Sequence, residues 1–398
     1  MLKFRVASFS RKYSKIRTKK LNCRQSELEN IIKEFEMSGN TLTCSDVDYL
    51  NAKDELNVIF ENKSRGAMLR SKAEYIDKGE KPTKFFLNLE KSRGAANTIN
   101  KLHVYSGDEI REISKQNEVL GHIKHFYSIT FSCSQSKSQN ECVSFLDRVN
   151  LAKISSSDKI ELDKPLTIDE MTNALKNMEN SKSPGNDGLT VEFYKFFWID
   201  LKHLLFNSFL ESEITKCLSA SQKQAVIKLL TKKDKDKRFI ENWRPISLLN
   251  IDTKILSKVL ANRLKPTLPS IIVHDQTAYV HNRFIGESVR LVSDIIEMTD
   301  ILNIEGYLVT ADIQKAFDSL DHNFLLATLS KFNFGKNFIN WIKIILNGQE
   351  SCVFNGGFST GYFPLQRGCR QGDQISAYLF ILAFKVLLEM IRTNKEIK

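Results

Sequence analysis

Apolar and polar positions repeat with a helical period through the first part of the chain. Residues 10–89 are charged and mostly free of glycine and proline, and the stretches 25–37 and 47–75 have the clearest helical pattern. Pro82, together with the aromatic pair at 85–86, marks a break. These residues predict a mainly helical N-terminal region.

The next segment has shorter elements. Residues 97–106 predict a short strand and turn, and residues 109–126 predict a helix. The stretch 132–140 is rich in serine and glutamine and is typical of a flexible linker.

Helical patterns and apolar runs alternate between residues 167 and 265. The loop 181–188 is rich in turn-forming residues, and it is either a backbone-amide clamp on a phosphate chain or a long turn. The region predicts helices over 167–177, from Val191 and over 254–264, and strands over 226–231 and 246–249.

The apolar, β-branched run from Tyr307 to Ile313 predicts a buried strand that ends in a carboxylate, Asp312. A carboxylate at the end of a core strand faces a cleft, where Mg²⁺ can be held together with substrate phosphates. The alternative is an ordinary aspartate that caps the following helix.

The remaining elements have clearer local signals. Asn355-Gly356 lies between two alternating runs and predicts a β-hairpin over 351–363. Helices are predicted over 287–298, 321–332, 337–346 and 375–392.

Charge adds information about partners. The chain has 398 residues and a formal net charge of +11, which favours a polyanionic partner, nucleic acid before a membrane surface. Residues 221–265 contain twelve Lys or Arg and four Asp or Glu, so about +8 of that charge lies in this segment. Such a basic hairpin fits phosphate contacts, and the alternative is a charged edge that prevents sheet aggregation.

Other features limit the location. No apolar run approaches the ~20 residues that span a bilayer. Seven cysteines without a Cys-x-x-Cys pair favour reduced thiols and an intracellular protein. The first twenty residues carry eight Lys or Arg and no acid, which is typical of a transit peptide or of a basic helix that faces nucleic acid. The second interpretation is favoured.

Several motifs, in this order and spacing, resemble the reverse transcriptase of non-LTR retrotransposons, the long interspersed elements. They lie at 183–194, 243–248, 275–280, 311–318 and 370–373. The stretch 63–91 resembles the connector between the endonuclease and the polymerase in such polyproteins, so the chain is expected to begin at an internal methionine of a longer reading frame.

The resemblance implies an α+β fold with right-hand polymerase fingers and a partial palm. The expected domains are a helical N-terminal extension or connector (1–130), a linker and the start of the fingers (131–165), the fingers (166–305) and an incomplete palm (306–398). The expected reaction is RNA-directed DNA synthesis by two-metal phosphoryl transfer. The expected partners are an RNA template, a DNA primer and deoxynucleoside triphosphates, without a membrane, in the nucleus and cytoplasm.

The resemblance also assigns residues. Asp312, with the backbone carbonyl of Ile313, would hold Mg²⁺, with two ions in the complete enzyme and Mn²⁺ as an alternative. The incoming nucleotide would contact Lys232, Arg244, Phe317, Gln371 and Gly372, where Phe317 matches the steric gate that disfavours a 2′-hydroxyl. A core phenylalanine is the alternative for Phe317. Nucleic-acid phosphates would contact Lys233, Lys235, Lys237, Arg283 and Arg370.

The chain departs from the family in places. Gln374 and Ala377 stand in a stretch where the family usually has proline, and no Asp-Asp dipeptide occurs. Because one aspartate cannot hold two ions, this chain is expected not to polymerise alone. A non-catalytic nucleic-acid-binding fragment is the alternative, and an intron-maturase type of protein is a third.

Overall fold

The computed structural model describes residues 2–37, 47–71, 97–106, 109–133 and 137–394, with side chains as far as Lys63 in the second range. The fold mixes helices with sheets and divides into two compact units, residues 1–99 and 100–398. Residues 100–130, which the sequence analysis grouped with the N-terminal extension, therefore belong to the second unit. The break at Pro82 and most of the connector-like stretch lie outside the described residues.

The first unit contains two long helices, α1 (Leu2–Met37) and α2 (Val47–Ser71). Both predicted helices are confirmed. Leu28 of α1 packs with Ala52 and Ile59 of α2, while Arg24 forms a two-bond ion pair with Glu55 at 2.6 and 2.9 Å. Phe35, near the end of α1, contacts Tyr49, near the start of α2, whereas the earlier residue Gln25 of α1 contacts the later residue Lys63 of α2. The two helices therefore run antiparallel.

A small antiparallel sheet opens the second unit, with β1 (Leu102–Ser106) paired to β2 (Glu109–Ile113). The strand near residue 102 is confirmed, but the helix predicted from residue 109 is wrong over its first turns. Pairing with β1 along its whole length holds this segment as a strand, and Lys101 pairs with Glu112 at 2.7 Å. Helix α3 (Gln116–Thr130) begins only after this strand.

The larger sheet has the order β4-β3-β5-β6, and β7 also pairs with β5. The strands β3 (Gln224–Thr231) and β4 (Trp243–Leu249) are antiparallel, as the two apolar runs predict. The strand β5 (Glu350–Asn355) lies parallel to β3 and turns back through a two-residue loop into β6 (Phe358–Ser359). The hairpin predicted at Asn355-Gly356 is therefore confirmed, and β7 (Phe363–Pro364) follows it.

Helices surround this sheet at the positions that periodicity predicts, apart from several short ones. The helix at 251–264 has ten of its fourteen side chains buried and packs against the helices at 156–162 and 168–176. The bounds are α4 (Gln139–Leu146), α5 (Ser156–Leu162), α6 (Ile168–Lys176), α7 (Val191–Phe196), α8 (Trp198–Thr215), α9 (Ala220–Lys223), α10 (Ile251–Leu264), α11 (Leu268–Ile271), α12 (Ile285–Ile301), α13 (Ala316–Ser319), α14 (His322–Lys331), α15 (Lys336–Leu346) and α16 (Ser376–Thr393).

The buried strand predicted over 307–313 is wrong. Residues 304–313 form neither helix nor strand, and the side chains of Tyr307 and Val309 are 100% and 84% exposed. A β-branched run forms a strand only where a neighbouring strand satisfies its backbone groups. No described strand pairs with this run, so its apolar side chains remain in solvent.

Helix α12 is confirmed as a helix, but none of its side chains is buried. Ile285, Val289, Val292 and Ile296 follow the spacing of one helix face, and all four are exposed. The apolar stripe therefore continues, along the chain, into the exposed run at 304–313. Within the described ranges, no helix combines the length and apolar character that crossing a membrane requires.

Candidate functional site

A cavity of about 200 Å³ lies in the second unit, at the end of the β3–β4 hairpin. Four of the five residues predicted to contact the nucleotide line it: Lys232, Arg244, Phe317 and Gln371. They come from three separate segments between residues 232 and 371, which the fold brings to one place. The fifth, Gly372, directly follows Gln371 in the chain.

The β3–β4 hairpin positions two cationic side chains of the cavity, Lys232 and Arg244. Thr231 pairs with Trp243 and Leu230 with Arg244, so Lys232 lies at the turn side of the same pair of strands. The ammonium group of Lys232 donates to the Glu241 carbonyl at 2.9 Å. Arg244 is exposed on a strand whose alternate residues, Trp243 and Pro245, are buried. Alternation in β4 therefore turns the guanidinium away from the core.

The loop that carries Gln371 is fixed against β4. The Ser247 amide donates to the Gln371 carbonyl at 2.7 Å. Gly372 has a φ of +105°, and a Cβ placed there would lie 2.7 Å from the Ser247 carbonyl oxygen. Only glycine fits this close approach in this backbone conformation. The Gln371 side-chain amide in turn donates to Asp318 at 3.4 Å.

The ring of Phe317 has aromatic neighbours that limit its orientation. It stacks on Phe380 at a centroid distance of 4.8 Å and meets Tyr279 edge-on at 6.2 Å. The Cys369 amide also donates to the Phe317 carbonyl at 2.7 Å. The position of this ring at the cavity wall is therefore well defined.

Two charged residues near Phe317, Lys315 and Asp318, also line the cavity, although they were not among the predicted site residues. Burial raises the pKa of Asp318 to about 6, although Lys315 and the Gln371 amide lower it. Burial likewise lowers the pKa of Lys315. Both residues belong to the same motif as Asp312, and that proximity was the available signal.

Helix α3 supplies another wall through Phe126 and Tyr127. The Lys315 ammonium donates to the Thr130 hydroxyl at 3.1 Å and lies 4.2 Å from the centre of the Phe126 ring. The periodicity of this segment predicts a helix but does not assign it to the site.

The residues predicted to contact nucleic-acid phosphates lie in different environments. Lys233, Lys235 and Lys237 are exposed on the β3–β4 connection. Arg283 donates to the backbone carbonyls of three loop residues, Ile272, Val273 and Gln276, and thereby holds this loop together. Its guanidinium is thus already engaged within the chain.

Arg370 does not occupy the surface position that a phosphate contact requires. It is buried, and its guanidinium donates to the Lys223 carbonyl and, at 2.9 Å, to the Glu350 carbonyl. Lys223 directly precedes β3 and Glu350 begins β5, and these two strands are parallel neighbours. Arg370 is therefore an internal link between two strands rather than a group that faces a template.

Asp312 lies outside the cavity lining, on the exposed run before α13. Among the described residues, no group of three or more His, Cys, Asp or Glu could hold a metal ion. The position expected at the end of a core strand is therefore absent, together with the strand. The described residues do not form the two-ion site that the resemblance implies.

Comparison with known proteins identifies the class. Residues 230–398 match the family described as reverse transcriptase (RNA-dependent DNA polymerase). The match covers Lys232, Arg244, Phe317 and Gln371, so it includes most of the cavity. The chain therefore carries a reverse transcriptase domain, from a family that uses divalent metal ions and binds a nucleic-acid template and deoxynucleoside triphosphates.

Relatives place this domain among retrotransposons. The chain is 33% identical over 363 residues to the transposon TX1 uncharacterized 149 kDa protein of Xenopus laevis. The aligned region covers 90% of this chain and 27% of that protein. It is 25% identical over 228 residues to the retrovirus-related Pol polyprotein from type-1 retrotransposable element R2 of Popillia japonica, covering 56% and 30%. It is 28% identical over 174 residues to the probable RNA-directed DNA polymerase from transposon BS of Drosophila melanogaster, covering 42% and 19%.

The domain is thus a non-LTR retrotransposon reverse transcriptase, which belongs to the RNA-directed DNA polymerases. The chain spans less than a third of the length of each of these relatives.

Proposed function

We propose that the cavity binds the incoming deoxynucleoside triphosphate of RNA-directed DNA synthesis. The observation that supports this is the convergence of Lys232, Arg244, Phe317 and Gln371 on one space. Two cations suit phosphate oxygens, and the planar guanidinium of Arg244 can donate to them in a bidentate manner. An aromatic ring beside them suits the sugar.

In this proposal Phe317 selects the sugar. Its ring, held by Phe380 and Tyr279, closes the space that a 2′-hydroxyl would need. We also propose the finer fold assignment. In it, the β3–β4 hairpin belongs to the polymerase fingers, and the segment from residue 306 belongs to the palm.

Phe317→Ala is expected to remove most of the preference for deoxyribonucleotides over ribonucleotides. A wall that only rejects an added hydroxyl discriminates by about 10²-fold at most, and the variant should bring that ratio close to one. Calorimetric titration with dTTP and with the ribonucleotide rTTP measures it. Phe358→Ala, the same change at an exposed position in β6, is the control and should leave both affinities unchanged. An unchanged ratio in Phe317→Ala would contradict the gate.

The proposal assigns the metal chemistry to Asp312 and the Ile313 carbonyl, with two Mg²⁺ ions or Mn²⁺ in the complete enzyme. When bound, the ions would activate the primer hydroxyl and stabilise the leaving oxygens. Since Asp312 is exposed and has no ligand partners among the described residues, the chain by itself is proposed not to extend a primer. Primer extension on an RNA template tests this, and synthesis that Asp312→Ala abolishes would contradict it.

The exposed lysines on the β3–β4 connection support a contact with the template or primer backbone. This contact is also what the alternative function, a non-catalytic nucleic-acid-binding fragment, would need. The two functions differ in nucleotide binding: a polymerase domain would bind a deoxynucleoside triphosphate in the cavity, whereas a non-catalytic fragment would bind only nucleic acid.

Neutralising Lys232, Lys233, Lys235 and Lys237 with glutamine is expected to flatten the salt dependence of RNA binding. Each lost phosphate contact reduces the slope of log K against log salt by about 0.7 on single strands. Fluorescence anisotropy at several salt concentrations measures the slope. A matched control neutralises four lysines that already pair with carboxylates, and it should keep the slope: Lys101, Lys164, Lys182 and Lys331. Equal slopes in the two variants would rule out the basic hairpin as the binding surface.

A further inference from the structure

One buried side chain that lines the cavity has a polar group without a hydrogen-bond partner among the described residues. Tyr127 of α3 is only 2% exposed, and its hydroxyl has no hydrogen-bond partner among the described residues. A buried hydroxyl without a partner costs about 1–3 kcal/mol relative to one that is paired. Native proteins keep few such groups, so each one calls for an explanation.

The surroundings of this hydroxyl indicate the charge of its missing partner. Three cationic side chains line the same cavity: Lys232, Arg244 and Lys315. Two carboxylates, Asp318 and Glu241, also line it, so the cations outnumber the anions by one. Neither carboxylate accepts from the Tyr127 hydroxyl in the structure.

Tyr127 and Lys315 both have hydrogen-bond donors that a ligand could use. Burial raises the pKa of Tyr127 well above its usual range, so the hydroxyl remains a hydrogen-bond donor at neutral pH. Lys315 uses one donor on Thr130 and rests over the Phe126 ring. An ammonium group has three donors, so two remain for another partner.

We infer that Tyr127 and Lys315 bind a phosphate group of the nucleotide, so that helix α3 completes a binding site whose other residues lie in the segment matched by the reverse transcriptase family. Helix α3 ends at residue 130, a hundred residues before that segment begins. The inference rests on the proposed nucleotide-binding function and adds to it a donor from outside the motifs.

A hydroxyl that serves a ligand and one that serves the fold respond differently to removal. Tyr127→Phe deletes only the oxygen. Since this oxygen has no partner within the described ranges, the midpoint of urea unfolding should stay unchanged or rise, while phosphate binding weakens. A loss of stability in Tyr127→Phe would indicate a structural hydrogen bond and would overturn the inference.

The binding test uses two probes, dTTP and inorganic tripolyphosphate, titrated calorimetrically into the whole chain. Tyr127→Phe is expected to weaken both probes about tenfold, as for the loss of a hydrogen bond to a charged group. Lys315→Met should weaken both by at least as much. The control is Tyr194→Phe, which removes the hydroxyl of another buried tyrosine that does not line the cavity.

The outcomes separate the inference from the function on which it rests. If the unchanged chain binds dTTP and both variants bind it equally well, the inference fails and the nucleotide site stands. If only dTTP binding weakens, the hydroxyl contacts the sugar or the base, and the phosphate assignment fails. If the unchanged chain binds neither probe, the proposed function fails and the inference fails with it.

Discussion

Replacing Arg370 with alanine is expected to lower the free energy of unfolding by about 3 kcal/mol or more. The guanidinium donates to the carbonyls that begin the parallel strands β3 and β5. Burial lowers the pKa of Arg370 to about 10, and the nearby buried carboxylate of Asp373 opposes this shift. At this pKa the guanidinium is charged at neutral pH. Its removal takes away one of the cations beside Asp373 and leaves two backbone carbonyls without this donor.

Urea unfolding with a constant m-value measures this loss. Arg290→Ala is the matched control, because Arg290 is an exposed arginine of α12 whose ion pair with Asp294 is worth about 0.5 kcal/mol. A large effect for Arg370 and a small one for Arg290 would confirm the internal link. Equal small effects would mean that Arg370 is free to leave the interior, and its predicted contact with a template phosphate would become tenable again.

Gly372→Ala is expected to lower stability by about 3 kcal/mol and to weaken dTTP binding. The new methyl group meets two obstacles, a left-handed φ of +105° and the Ser247 carbonyl at 2.7 Å. Relief of the clash would push Gln371 away from β4, and Gln371 lines the cavity. Urea unfolding and calorimetric titration of the same variant measure the two effects.

Two other glycines separate the obstacles. Gly188 has a φ of +72° with open space around it, so Gly188→Ala should cost about 1 kcal/mol from backbone strain alone. Gly121 lies inside α3, also in open space, and Gly121→Ala should stabilise the chain by about 0.5–1 kcal/mol. If Gly372→Ala cost no more than Gly188→Ala, the close approach to β4 would not limit this position.

Local signals predicted most of the helices and strands. The hairpin at 355–356 and the pair β3–β4 were correct because turn chemistry and alternation act within a few residues. The run at 307–313 misled for the same reason, since its β-branched residues carry a strand pattern but a strand also needs a neighbour. That neighbour is a non-local property, which the composition of the run does not contain.

The site was predictable to a similar extent. The motifs contain Arg244, Phe317 and Gln371, the basic hairpin supplied Lys232, and the fold brings all four together. The proposed role of Tyr127 was not predictable, because it rests on a hydroxyl that has no hydrogen-bond partner in the described part of the chain, and only the tertiary structure reveals this. The resemblance also assigned Arg370 to a nucleic-acid phosphate, whereas its guanidinium donates to backbone carbonyls in the interior.

The exposed apolar stripe of α12 and the run at 304–313 affect how binding data from this chain should be read. Adsorption through apolar side chains strengthens as salt is added, whereas phosphate contacts weaken. Added salt therefore changes apolar adsorption and phosphate binding in opposite directions. A plateau in apparent affinity at high salt would indicate self-association of the chain or its adsorption to a surface. The low-salt limb of a titration, repeated at several protein concentrations, is where the basic hairpin can be measured cleanly.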